Sequence, residues 1–187
     1  MLASLTSRVA AVLRKVVPAM ALMTAITCDS LDNFDVSVTG KVTIPAATVL
    51  DTVLANALGF AGFDKIDFSQ SFANQGVTKD QVDSVHLTAF GLVITAPADG
   101  NFDFLDSLSF TVEADGQDSV EIARIDSVPK GQNRIDLDVS SDVDLKPYVV
   151  APSMRIRGEA KGSRPMSETE LTAGAVFDVD IHIPGCN

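Results

Sequence analysis

The sequence predicts a mainly all-β protein: an antiparallel β-sandwich of about eight strands with one helix inserted after the first strand. Three observations predict it. Apolar and polar residues alternate with a period of two through most of the chain beyond residue 33. Turn signals such as Pro97-Ala98-Asp99-Gly100 and Asp115-Gly116 interrupt those runs at short intervals. One segment, 46–58, departs from the pattern and carries a helical period.

The elements follow in order. From Asn33 to Ile44, Phe34, Val36, Val38, Val42 and Ile44 share one face, with Asp35, Ser37, Thr39 and Lys41 opposite. That is a half-buried strand ended by Pro45, with Gly40 suiting a bulge. In 46–58, Val49, Leu50, Val53, Leu54, Ala57 and Leu58 form a helical stripe, and Gly59 stops it. Ile66, Phe68 and Phe72 predict a second strand, and Asn74-Gln75-Gly76 a turn. Thr78 and Gln81 have capping-box spacing. From Val85 to Ala96 the apolar phase slips between Ala89 and Phe90, which a one-residue bulge explains; a central strand covered on both faces fits as well. Further strands are read at 108–114, 120–125, 135–139, 154–161 and 171–183, with a single helical turn at Asp144–Tyr148.

The N-terminal segment has another character. Arg8, Arg14 and Lys15 precede an apolar block, Val16 to Thr27, and no acidic residue accompanies them. The block is about 12 residues, the length of a signal-peptide core and too short to span a bilayer. The expected organisation is a signal peptide 1–27, a polar tether 28–33 and a single β-sandwich domain 34–187. Cys28 follows the block directly and Cys186 lies near the C-terminus, so two fates are open to Cys28. It is either the site of lipidation or, left as a thiol in an oxidising compartment, the partner of Cys186 in a disulfide.

Composition excludes some functions. Net charge is −11, and without residues 1–27 there remain 11 Lys and Arg against 25 Asp and Glu, a net −14. Such a surface repels phosphate backbones, so no nucleic-acid partner is expected. The chain carries no GxSxG elbow, HExxH pair or phosphate-cradling glycine loop, and no catalytic residue, metal or cofactor is assigned. His86 and His182 fall at solvent-facing or edge strand positions. Asp136/Asp138 and Asp142/Asp144, with Asp99, Asp103 and Asp106, read as solvated faces and turns rather than as calcium ligands or a hydrolase pair. Phe60 and Phe63 stand on a glycine-rich loop; with Val53 and Leu54 they are the candidate contacts for an apolar ligand, or else a plug over an open end of the sandwich.

Ala25-Ile26-Thr27-Cys28 resembles the lipobox that ends a lipoprotein signal, and with the polar tether behind it the chain resembles bacterial exported lipoproteins of unknown function. The resemblance implies export to the cell envelope, membrane attachment through a lipid on Cys28 and a protein partner there. The function expected is then that of a non-enzymatic envelope lipoprotein with an interaction or structural domain. An apolar-ligand carrier and a carboxylate-pair hydrolase are the alternatives.

Overall fold

A computed structural model describes residues 32–48 and 57–182. The expected signal segment, Cys28, residues 49–56 of the expected helical stripe with Val53 and Leu54, and Cys186 lie outside them. Among the described residues no helix is long and apolar enough to cross a membrane.

The strands are β1 (Asn33–Ile44), β2 (Ala57–Leu58), β3 (Val82–Ala96), β4 (Leu105–Ala114), β5 (Val120–Ile125), β6 (Arg134–Asp136), β7 (Asp138–Val139), β8 (Met154–Gly162) and β9 (Thr169–Ile181). They form two sheets, ordered β1-β9-β3-β6 and β2-β8-β4-β5-β7. All pairings are antiparallel, and they nest: β1 with β9, β2 with β8, β3 with β6, β4 with β5. This is a long hairpin with β4 and β5 at its tip, rolled up so that successive strands of each arm fall in opposite sheets, the jelly-roll arrangement, with the two-residue β7 added at one edge. The expected β-sandwich is therefore present as a jelly roll.

Strict alternation builds the core. β9 buries Leu171, Ala173, Ala175, Phe177 and Val179 on one face, as its sequence predicts. Between the sheets Phe90 and Phe110 stack with ring centroids 4.3 Å apart, and Phe60 and Phe63 pack on Phe110 at 5.6 and 6.5 Å. Two inward-facing glycines make room for these rings. A Cβ on Gly40 would sit 2.8 Å from the Phe63 ring, and one on Gly158 2.9 Å from the Phe110 ring. Gly40 is thus no bulge, and the β1–β9 register runs through it unbroken.

The sandwich is closed laterally by chain that passes from sheet to sheet. On one side Leu58 pairs with Gly158 of β8, Ala61 exchanges two hydrogen bonds with Lys41 of β1, and Ile156 N–H donates to the Phe63 carbonyl. On the other side Leu137, whose N–H donates to the Phe90 carbonyl, carries the chain from β6 in one sheet to β7 in the other. The expected single strand 135–139 is divided there because its two halves serve different sheets.

Two further expectations change. Ala57 and Leu58 end not in a helix but in strand β2, paired with Glu159 and Gly158. The strand read from Ile66 to Phe72 is one bridge, Ile66 to Met154, followed by helix α1 (Ser69–Asn74). Phe68 and Phe72 are four apart, so a helix brings both onto one face as readily as a strand does, and both rings are buried. Elsewhere the expected features stand. The Thr78–Gln81 capping box caps a short 3₁₀ turn, the β3–β9 register shifts between Leu87 and Ala89, and α2 (Lys146–Val149) forms the single turn near Tyr148.

Candidate interaction surfaces

Phe60 and Phe63, read as candidate contacts for an apolar ligand or else as a plug over an open end of the sandwich, are buried in the middle of the core at 1% and 0% exposure. The alternation of buried positions around them leaves the chemistry of the described residues on the outer faces and edges of the sheets.

On the outer face of the four-stranded sheet, the register sets Asp35, Asp178 and His86 side by side on β1, β9 and β3. Asp180 lies one pleat further along β9 and accepts a hydrogen bond from Ser84 Oγ at 2.6 Å. His86 Nδ1 lies 2.9 Å from the Ser141 carbonyl oxygen, which only accepts, so Nδ1 carries the proton. Partial burial raises the Asp178 carboxyl above its ordinary value; the charges of Asp180 and Asp35 add to the rise, and His86 opposes it. A carboxyl raised in the folded state costs stability while ionised. The fold therefore gains stability from this group as pH falls through its folded value, and the gain is complete below its unfolded value. Asp178→Asn is expected to stabilise the protein at pH 7 by roughly 0.5–1 kcal/mol and to lose that advantage near pH 3, as thermal melts of both proteins at the two pH values will measure.

Near the middle of the same face, Thr39, Gly174, Gly91 and Asp136 occupy one row across β1, β9, β3 and β6. The two adjacent glycines lower the floor of an open trough of about 490 Å³, bordered by Ser37, Thr88, Val93, Thr172 and Val176. The five-stranded sheet presents the opposite character. Glu113 Oε2 accepts from Arg155 Nε and Arg157 Nε, each at 2.9 Å. The Arg157 hydrogen bond, seconded by Arg155, holds the Glu113 carboxyl below its ordinary value against a smaller effect of burial. Arg155 lies directly across from Glu113 in the β4–β8 register.

The carboxylates singled out in the sequence are dispersed. Asp144 Oδ1 accepts from the N–H groups of Val85 and Lys146, and Asp103 Oδ1 from that of Gly131. Asp106 pairs with Lys130 at 3.8 Å and Asp136 with Arg134 at 3.1 Å. His182 is exposed at the end of β9, remote in register from His86. Among the described residues no three His, Cys, Asp or Glu side chains gather as metal ligands would. The row Asp35–Asp178–His86 escaped sequence reading because it depends on strand order, which a periodic pattern does not encode.

No family model and no curated protein sequence matches this chain. Two of the solved structures similar to it are capsid proteins. One is the acid-stable capsid of Helicobacter pylori bacteriophage KHP30, at 10% identity and a TM-score of 0.33, covering 81% of this chain and 99% of that one. Another is the decameric BFDV capsid protein, at 9% identity and a TM-score of 0.37, covering 80% and 99%. The expected kinship with exported lipoproteins, and the envelope-lipoprotein function drawn from it, are corrected by these findings. The similarity found lies with capsid structures. The jelly-roll assignment itself rests on this chain's own strand order.

Proposed function

We propose that this chain is a non-enzymatic structural subunit, a jelly-roll building block that acts by joining other protein chains into a multi-copy assembly. Jelly rolls serve as shell subunits, as sugar-binding lectins and as cupins that hold a metal between their sheets, so the site and not the fold has to decide. The observation that carries the reading is the filled interior. Where a cupin would need ligands between its sheets, this chain stacks Phe60, Phe63, Phe90 and Phe110. Both histidines lie outside that core.

A lectin reading is disfavoured by the placement of the aromatics. The ten phenylalanines of the sequence and Tyr148 are all buried or half-buried, and Tyr148 spends its hydroxyl on the Asp118 carbonyl at 2.6 Å. The large exposed apolar side chain among the described residues is Met166. What remains available to a partner is the pair of polar outer faces and the sheet edges, the parts a subunit uses.

Sedimentation and electron microscopy of the full-length chain purified under native conditions test this. The expected result is a discrete particle of many copies. A chain that stays monomeric at all concentrations, or that carries a small molecule between its sheets, would overturn the proposal.

A further inference from the structure

We infer that Asp115 is a site of spontaneous isoaspartate formation, and that the fold shields the same tripeptide where it recurs at Asp99. The inference is independent of the subunit reading above.

Ala-Asp-Gly occurs twice in the sequence, at 98–100 and at 114–116. The chemistry open to both is the same. The main-chain nitrogen of the glycine attacks Cγ of the protonated aspartic acid side chain. A new N–C bond forms, and the carboxyl hydroxyl leaves with the amide proton as water. The product is a five-membered succinimide. Water then adds back to one of the two ring carbonyls and opens the ring. Opening at one restores aspartate; opening at the other gives isoaspartate, with the main chain running through the former side chain. No oxidant, reductant or cofactor enters the balance. Glycine hinders the attack least, because it puts no Cβ beside the nitrogen. The rate is then decided by how freely the glycine nitrogen can swing toward the carboxyl.

At 98–100 it is held. Gly100 N–H donates to the Pro97 carbonyl at 3.0 Å. A Cβ on Gly100 would lie 2.8 Å from Ile94 Cγ2 and 3.0 Å from that same carbonyl oxygen, so the residue is packed in place. Just beyond it, the Asn101 side chain caps the 3₁₀ turn Phe102–Phe104. Phe102 is buried at 0% exposure, and its N–H donates to the Gln132 carbonyl. Moving the Gly100 nitrogen requires the turn and its anchor in the core to open together.

At 114–116 nothing comparable restrains it. Asp115 to Ser119 are exposed without a break. A Cβ on Gly116 would meet nothing within 4 Å, and the Gly116 N–H makes no hydrogen bond among the described residues. One main-chain hydrogen bond, from Gln117 N–H to the Ala114 carbonyl at 3.1 Å, closes the turn. The Asp115 side chain is 93% exposed, and its ion pair with Arg155 Nη2, at 3.9 Å, is too long and too solvated to fix it. Loop tips of this kind open at little cost in free energy. Isoaspartate there adds one methylene to the main chain at the tip of the β4–β5 hairpin, beside the Arg155 that Asp115 shares with Glu113.

Incubation of the full-length chain at physiological temperature and neutral pH, folded and in denaturant, tests this. Digestion with endoproteinase Asp-N, which does not cut at isoaspartate, and electron-transfer mass spectrometry read both sites. In the folded protein isoaspartate is expected at Asp115 at roughly ten times its level at Asp99, or more. In the denatured chain the two sites should react alike. Asp115→Glu, whose ring would need a sixth member, should abolish the product at 115 and leave Asp99 unchanged. Equal accumulation at both sites of the folded protein overturns the inference, as does an inert Asp115 in a folded chain whose denatured form reacts. A preference for Asp115 that persists in denaturant also overturns it, because the local sequence and not the fold would then set the difference.

Discussion

Phe110→Ala is expected to lower the free energy of unfolding by about 3–5 kcal/mol, the largest loss of any single truncation in this core. Its ring is fully buried and contacts Phe60, Phe63 and Phe90, with centroids 5.6, 6.5 and 4.3 Å away. It thus joins the loop bearing Phe60 and Phe63 to the Phe90 ring of the opposite sheet. Gly158 lies directly beneath it, so β8 offers no side chain there to collapse into the space left. Chemical denaturation of wild type and variant measures the effect. A loss below about 1.5 kcal/mol would mean that the surrounding rings relax into the vacancy and that the stack does not hold the sheets together.

Gly62→Val is the second large effect, expected to cost roughly 2–4 kcal/mol from backbone strain together with overpacking. Gly62 has φ +101°, a conformation that side-chain-bearing residues avoid, and a Cβ there would come within 2.5 Å of the Thr39 carbonyl oxygen. The turn it makes lets Ala61 bridge to Lys41 while Phe60 and Phe63 both turn inward. Valine forces the loop off the edge of β1 and withdraws both rings from the core. Denaturant melts will show the loss, and hydrogen exchange at the Lys41 and Ala61 amides will localise it. A variant that keeps wild-type protection at those two amides would show that the bridge survives without the glycine conformation.

How far the fold was legible depended on whether a signal was local. β1 and β9 were read to within two residues because each keeps one phase for its whole length. The β3 slip was legible because a bulge leaves its mark in the phase itself. Phe68 and Phe72 were ambiguous for a geometric reason: a spacing of four satisfies both periods, and only the Phe177 ring, 5.4 Å from Phe68, settles which is used. Leu137 hid the passage between sheets, since it remains apolar and in phase while its neighbours change partners. Phe60 and Phe63 were visible as a pair, but their burial depends on Gly40, which lies on a different element. The place of β1 at the end of its sheet was illegible altogether, because which strand is left there depends on the order of pairing.

That order also has a consequence in time. β1 is the first of the described strands and β9 the last, and together they form the longest unbroken ladder, from Asn33 with Asp180 to Ile44 with Thr169. β9 also lies between β1 and β3, so neither can reach its place until β9 arrives. During synthesis a ribosome delivers β1 and β3 well before their shared neighbour exists, and the nascent domain waits with the Phe34, Val36, Leu87 and Phe90 faces uncovered. Closure of the sandwich is a late, long-range event that the final strand triggers. The chain should therefore fold slowly for its size, and truncations that remove Thr169–Ile181 should aggregate rather than leave a smaller folded core.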